Sequence, residues 1–232
     1  MSGAPADEPP VVLVHGLGSS AEHGWRPAGW LDLIADAGRT VIAPDLLGHG
    51  SAPRPHEPDA YAELESELLS ALPDAAPIDA VGFSLGAQVL LRIAAREPHR
   101  FRRLVVIGVG ANLFTERGRS RDLADAFAAG HEPEDLTGRL FVRMAASAGN
   151  DPLALAAFLR HPRPPFTVEE LGGVTCPVLV VIGDRDFAGP PDPLVAALPD
   201  ARLALLPGVD HFRVTSEFAC IDAVLDFLDL AP

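Results

Sequence analysis

Short, uninterrupted apolar runs alternate along this chain with longer segments of helical periodicity, and that alternation restricts the fold more than any other feature. Val11–Val14 (VVLV), Thr40–Ala43, Ile78–Phe83, Leu104–Val109 (LVVIGV), Val178–Ile182 (VLVVI) and Leu203–Leu206 each read as a strand. Strands that are apolar on both faces need cover on both faces, as in a parallel sheet. Between them lie helical patterns at Trp30–Ala37, stopped by Gly38, at Asp59–Leu72, at Leu85–Arg96 and from about Thr215 to Leu228. The expected fold is α/β, a mostly parallel sheet of about six strands with helices on both faces.

The rhythm breaks between Ala111 and Gly173. Three helical patterns occur there, near Ser120–Ala129, Glu134–Ser147 and Pro152–Leu159, and no strand. The expected organisation is a core in two parts, residues 1–110 and 174–232, with a helical cap at 111–173 lying over one end of the sheet. A length of 232 residues, 48% of them hydrophobic, suits one domain with an insertion.

Composition removes several chemistries. All 18 basic residues are arginine, against 32 acidic ones, for a net charge of −14. Such a chain repels phosphate backbones and anionic membrane surfaces, so neither nucleic acid nor membrane is an expected partner. Without lysine there is no Walker-type phosphate lysine, no Schiff base to pyridoxal phosphate and no kinase lysine–glutamate pair. Cys176 and Cys220 lack the spacing of a zinc site or a disulfide framework. The acidic, proline-rich stretch Met1–Pro10 does not look like a signal peptide, and no apolar run has bilayer length, so the cytoplasm is the expected location.

Chemistry concentrates at Gly82-Phe83-Ser84-Leu85-Gly86, a G-x-S-x-G sequence with a strand leading in and a helix leading out. A turn that sharp needs small flanking residues, and it lifts the Ser84 hydroxyl to the carboxyl end of the sheet. The plainer alternative is a glycine-flanked helix cap. A serine hydroxyl needs a base, and His211, in the loop after the sixth strand, reaches the same end of the sheet. Two carboxylates compete to orient that histidine. Asp184 follows the fifth strand directly and suits a turn role; Asp186, further out, is favoured. Asp210 reads as a solvated loop residue. His15-Gly16-Leu17-Gly18 follows the first strand, and its Leu17 N–H, with that of Leu85, is the expected oxyanion hole.

The chain order Ser84–Asp186–His211 on alternating strands and helices resembles the α/β-hydrolase fold family. The resemblance rests on His15–Gly18, on Pro44-Asp45-Leu46-Leu47-Gly48-His49-Gly50-Ser51, on the Gly82–Gly86 turn, and on Cys176-Pro177 through Asp186 followed by Pro207-Gly208 and His211. It covers essentially the whole chain outside the insertion. It implies that Asp186, three residues after the strand-end Gly183, is the acid. It also implies a serine hydrolase that needs no cofactor or metal. Two departures stand out. The family's two leading antiparallel strands are missing, and no carboxylate stands at Ala111 or Asn112, where some relatives place the acid. A serine nucleophile separates the chain from haloalkane dehalogenases and epoxide hydrolases.

The expected partner is a small-molecule substrate, a small or medium carboxylic ester being the first choice. The same residues also suit a lactone, a thioester, a carbon–carbon bond of a dienoic ketone or peracid formation, and a non-enzymatic binding module is a third class. Gly16, Trp25, Phe83, Phe114 and Phe212 are candidate substrate contacts, with Trp30 as a further candidate wall. Arg117, Arg119 and Arg121 form either an anion-greeting cluster or a solvated helix face. No interface signal is visible, so oligomeric state is left open.

Overall fold

The structure, a computed structural model, describes residues 8–73, 77–115 and 120–230. One sheet contains β1 (Val11–Val14), β2 (Val41–Ile42), β3 (Ile78–Phe83), β4 (Phe101–Ile107), β5 (Val178–Gly183) and β6 (Ala201–Leu206). Their order is β2-β1-β3-β4-β5-β6, and every neighbouring pair runs parallel. All six apolar runs are therefore strands. β4 begins earlier than the apolar run because Arg102 and Arg103 interrupt its hydrophobic signal.

The helices follow as α1 (Ala21–Trp25), α2 (Trp30–Asp36), α3 (Leu64–Ser70), α4 (Leu85–Arg96), α5 (Ser120–Ala129), α6 (Leu136–Ser147), α7 (Pro152–Arg160), α8 (Val168–Leu171), α9 (Asp192–Ala197) and α10 (Phe218–Phe227). The segment expected as one helix from Asp59 divides into a 3₁₀ turn, Pro58–Tyr61, and α3. The last helix divides likewise, with a 3₁₀ turn at Val214–Ser216 before α10. α1, α8 and α9, of five, four and six residues, are too short to show a period in sequence.

Alternate strand residues feed two separate cores. Val12, Val14, Ala80, Leu104, Val106, Val178 and Val180 face α3, α4 and the helices between β4 and β5. Val11, Leu13, Val81, Val105, Ile107, Leu179 and Val181 face Trp25, Trp30 and Ile34 on one flank and Val224 and Phe227 of α10 on the other. The chain reverses its direction of winding between β1 and β3, and the loops after these two strands diverge there. In an open parallel sheet that switch point, at the carboxyl ends of the strands, is where ligands bind. No helix among the described residues is long and apolar enough to cross a membrane.

One charge sits deep under the opposite end of the sheet. The fully buried Asp79 on β3 accepts Arg39 Nη2 at 2.7 Å and Arg102 Nε at 2.9 Å. Two guanidiniums share this one buried carboxylate, and its removal leaves them, among the described residues, only the exposed Glu8, 3.7 and 4.0 Å away. Asp79→Ala is expected to lower unfolding free energy by about 3 kcal/mol, read from urea titrations against wild type.

Candidate active site

Sharpness of the β3–α4 turn decides where Ser84 points. Ser84 has φ 50° and ψ −106°, a left-handed backbone that a side chain rarely tolerates. The turn closes only because its neighbours are bare. A Cβ on Gly82 would stand 2.6 Å from the Ala87 nitrogen, and one on Gly86 would stand 2.1 Å from the Val14 carbonyl oxygen. The first turn of α4 thus presses directly on the end of β1, and the Ser84 hydroxyl is raised above the sheet.

His211 arrives from the far side. The Gly183 backbone at the end of β5 lies so close to the loop after β6 that a Cβ there would meet the Val209 carbonyl oxygen at 2.0 Å. That crossing carries His211 over β5 toward β3. Its Nε2 lies 3.0 Å from Ser84 Oγ, and its Nδ1 lies 2.9 Å from both Asp186 carboxylate oxygens. A carboxylate only accepts, so Nδ1 carries the proton and Nε2 is left to accept the serine O–H. The Asp186 side chain is fully buried and also accepts the Ala188 N–H at 2.8 Å. The structure therefore joins Ser84, His211 and Asp186 in one hydrogen-bonded line.

The competing carboxylates are engaged elsewhere. Asp184 Oδ1 accepts the Gly208 N–H at 2.7 Å, and Asp210 Oδ1 accepts the N–H groups of Phe212 and Arg213. Both are loop-shaping contacts, as their positions after the strands suggested. The N–H of Leu17, in the loop after β1, and that of Leu85, at the first position of α4, have no hydrogen-bond partner among the described residues. Both residues line the same cavity as Ser84.

That cavity has a volume of about 500 Å³ and lies between the sheet's carboxyl end and α5, α6 and α7. Phe141, Phe158 and Phe187 supply its aromatic wall; Gln88, Asn112, Asp122 and Asp135 supply polar groups. Phe187 stacks on the His211 ring at 4.3 Å between centroids, and Phe83 packs on it from another side at 5.0 Å. Phe212 lies 5.2 Å from Phe141 and 5.7 Å from His211, so it supports this wall without lining the cavity. Gly16 touches Phe83: a Cβ there would meet its ring at 2.8 Å.

Several expected contacts are corrected. Trp25 and Trp30 are fully buried against each other on the opposite face of the sheet, where the apolar side of α2 needs cover, and so cannot meet a substrate. Phe114 packs on the main core, and its neighbour Thr115 lines the cavity instead. Arg121 is exposed and does not line the cavity, while Arg117 and Arg119 lie outside the described residues. Sequence reasoning passed over Phe141, Phe158 and Phe187. Phe187 had a signal, since it directly follows Asp186. The other two are ordinary apolar positions of α6 and α7.

Beneath the loop after β1 lie two buried imidazoles. His15 Nε2 accepts the Leu46 N–H at 3.1 Å, so its Nδ1 donates to the Gly16 carbonyl at 2.9 Å, and the ring is neutral. Burial lowers its pKa, against the opposing pull of that carbonyl and of Asp45. His49, 5.2 Å away between ring centroids, is pushed down to about 3, by burial first and by His15 second.

Comparison with known proteins places this geometry. Residues 11–222 match the profile described as the Alpha/beta hydrolase family. A 2-hydroxy-6-oxo-2,4-heptadienoate hydrolase of Pseudomonas putida is 38% identical over an alignment of 131 positions that covers 53% of this chain and 44% of that protein. The matched stretch is thus less than half the length of that relative. Among solved structures, the 2-hydroxy-6-oxo-6-phenylhexa-2,4-dienoate hydrolase of a Rhodococcus species superposes with a TM-score of 0.72 at 23% identity, covering 96% of this chain and 91% of that one. A thermophilic esterase from Thermogutta terrifontis gives 0.72 at 21% identity, covering 96% and 90%. At such identities the two structures share the fold.

An unfolded histidine titrates near 6.5, whereas native His49 takes up its proton only near 3. Between these values the unfolded state binds the extra proton, so native stability falls as pH falls. His49→Asn is therefore expected to flatten the acid limb. The slope of unfolding free energy between about pH 6 and about pH 4 should shrink by about 1.4 kcal/mol per pH unit, measured by urea titrations at each pH against wild type.

Proposed function

The chain belongs to the alpha/beta hydrolase family, and we propose that it is a serine hydrolase cleaving a small or medium, uncharged carboxylic ester through an acyl-serine intermediate. One observation carries this reading: the hydrogen-bonded line from Asp186 through His211 to Ser84, with 2.9 Å and 3.0 Å links. In this reading Ser84 Oγ attacks the ester carbonyl carbon while His211 Nε2 takes its proton. Asp186 holds the imidazole tautomer and stabilises the imidazolium. The N–H groups of Leu17 and Leu85 receive the oxyanion. Collapse of the tetrahedral adduct expels the alcohol, which takes the proton from His211. Water, deprotonated by the same nitrogen, then frees the acid and restores Ser84.

The relatives favour a second reading, hydrolysis of a carbon–carbon bond in a dienoate, because two of them carry such names. The charge of the cavity supports the ester instead. Its described lining includes Asp122 and Asp135 and no arginine. A dienoate brings at least one carboxylate, which would be held among like charges without a cationic partner in the described lining. An uncharged ester meets no such penalty, and the wall of Phe141, Phe158 and Phe187 suits an apolar acyl or alcohol group.

Ser84→Ala is expected to lower kcat on a short aryl ester about 10⁶-fold and to abolish labelling of the protein by a fluorophosphonate. Wild type should turn over neutral 4-nitrophenyl esters with higher kcat/KM than a 2-hydroxy-6-oxo-dienoate. The reverse ranking selects the carbon–carbon reading, and labelling of the alanine variant removes Ser84 as nucleophile.

A further inference from the structure

The loop Gly16–Ser20, which carries the Leu17 N–H, is held from the insertion side by one side chain. Asn150 is 8% exposed and stands between α6 and α7. Its Nδ2 donates to the Gly18 carbonyl at 2.8 Å and to the Ser19 carbonyl at 3.0 Å, and its Oδ1 accepts the Gly50 N–H at 2.8 Å. Turning the amide over would set oxygen against two carbonyls and nitrogen against an N–H, so only this orientation satisfies all three partners.

Its own backbone is fixed from both directions. α6 ends in a pair of backbone bonds, Gly149 N–H to the Ala146 carbonyl and Asn150 N–H to the Ala145 carbonyl, with Gly149 at φ 65°. This is the two-bond glycine ending that arrests a helix in a defined geometry. The next residue, Asp151, caps α7 by accepting the Leu153 N–H. Asn150 is therefore a short arm on a rigid junction. The same helix touches the loop a second time, since a Cβ on Gly18 would lie 3.2 Å from the Ala145 Cβ.

We infer that Asn150 is a positioning residue: by gripping the Gly18 and Ser19 carbonyls it fixes the direction of the Leu17 N–H, so that the helices over the site set the geometry of oxyanion binding. The inference rests on the reading of Leu17 as an oxyanion donor given above. The Leu17 N–H shares its peptide plane with the Gly16 carbonyl, which accepts His15 Nδ1 at 2.9 Å and the Ser19 N–H at 3.2 Å. Asn150 holds the other end of this turn, and losing both of its anchors frees the Gly18 and Ser19 peptides and, through the Ser19 N–H, loosens the plane that carries the Leu17 N–H. An oxyanion donor acts mainly in the transition state, so misdirecting it lowers kcat and leaves KM nearly unchanged.

The test compares wild type with Asn150→Ala and Asn150→Asp on 4-nitrophenyl acetate. Phenylboronic acid serves as the probe of the tetrahedral state, because its boron bonds a serine oxygen and sets a hydroxyl where the oxyanion would sit. Asn150→Asp can still accept the Gly50 N–H but has no donor for the two carbonyls. Both variants should lose about 10- to 100-fold in kcat and a similar factor in boronate affinity. KM should stay within about twofold, and the pH dependence of kcat should not move, because Asp186 and His211 are untouched. Should the alanine and aspartate chains fail to fold, Asn150→Ser, which keeps one hydroxyl donor, is expected to fold and to show an intermediate loss in both quantities. A lowered melting temperature with kcat and boronate affinity within about twofold of wild type would reduce Asn150 to a structural strut and overturn the inference. Wild type that neither hydrolyses the ester nor binds the boronate would sink the reading of the site itself, and this inference with it.

Discussion

Contact between the first turn of α4 and the end of β1 is the constraint on which the rest of this site depends. Ser84 sits in a backbone conformation that costs on the order of 1–3 kcal/mol. It is held there because β3 and α4 are locked on either side of it by buried residues such as Val81, Leu90 and Ile93. With Gly86 pressed on the Val14 and His15 carbonyls, any side chain at that position would force the helix off the sheet. The serine would then leave the reach of a histidine delivered by a different crossing, that of the loop after β6 over Gly183. Two close backbone approaches, at the carboxyl ends of β1 and β5, fix a 3.0 Å contact between residues 127 positions apart.

The parts of this arrangement that depend on backbone shape were legible in the sequence. Gly82, Gly86 and Gly183 occupy places where space is lacking, and continuous apolar strands point to a covered parallel sheet. Ser84, Asp186 and His211 each follow a strand, so topology alone delivers them to one end. The choice between Asp184 and Asp186 also had a physical basis. A carboxylate immediately after a strand is within reach of the adjacent loop's N–H groups, and Asp184 takes the Gly208 N–H. Two residues later the chain has turned enough to face the histidine.

What was illegible is contact made between elements that sequence treats as separate. Trp25 and Trp30 carry large apolar surface, which is equally valuable in a core or in a cavity wall, and only the packing of α1 and α2 under the sheet decides between them. Phe141 and Phe158 show the same helical periodicity as any buried residue, yet they line the cavity. Asn150 looks like a loop residue between two helices. Its significance lies in three bonds to partners at least 100 positions away. Polar groups of this kind are chosen by the assembled fold and leave no local period to read.

Among the described residues that line the cavity none is cationic, and many of the described arginines are engaged elsewhere. With no lysine, every fixed positive side-chain charge is a guanidinium, and 32 carboxylates compete for 18 of them. Arg39 and Arg102 share Asp79, Arg92 pairs with Glu170, Arg163 with Glu65, and Arg103 with Asp229. These pairs tie the sheet's lower rim and the base of the insertion, well away from Ser84. The described walls of the cavity are left with aromatic rings, amides and two carboxylates. Such walls offer an apolar surface of defined shape and, among the described residues, no cation to compensate an anionic tail. These five arginines thus steady the scaffold, and none of them lines the cavity.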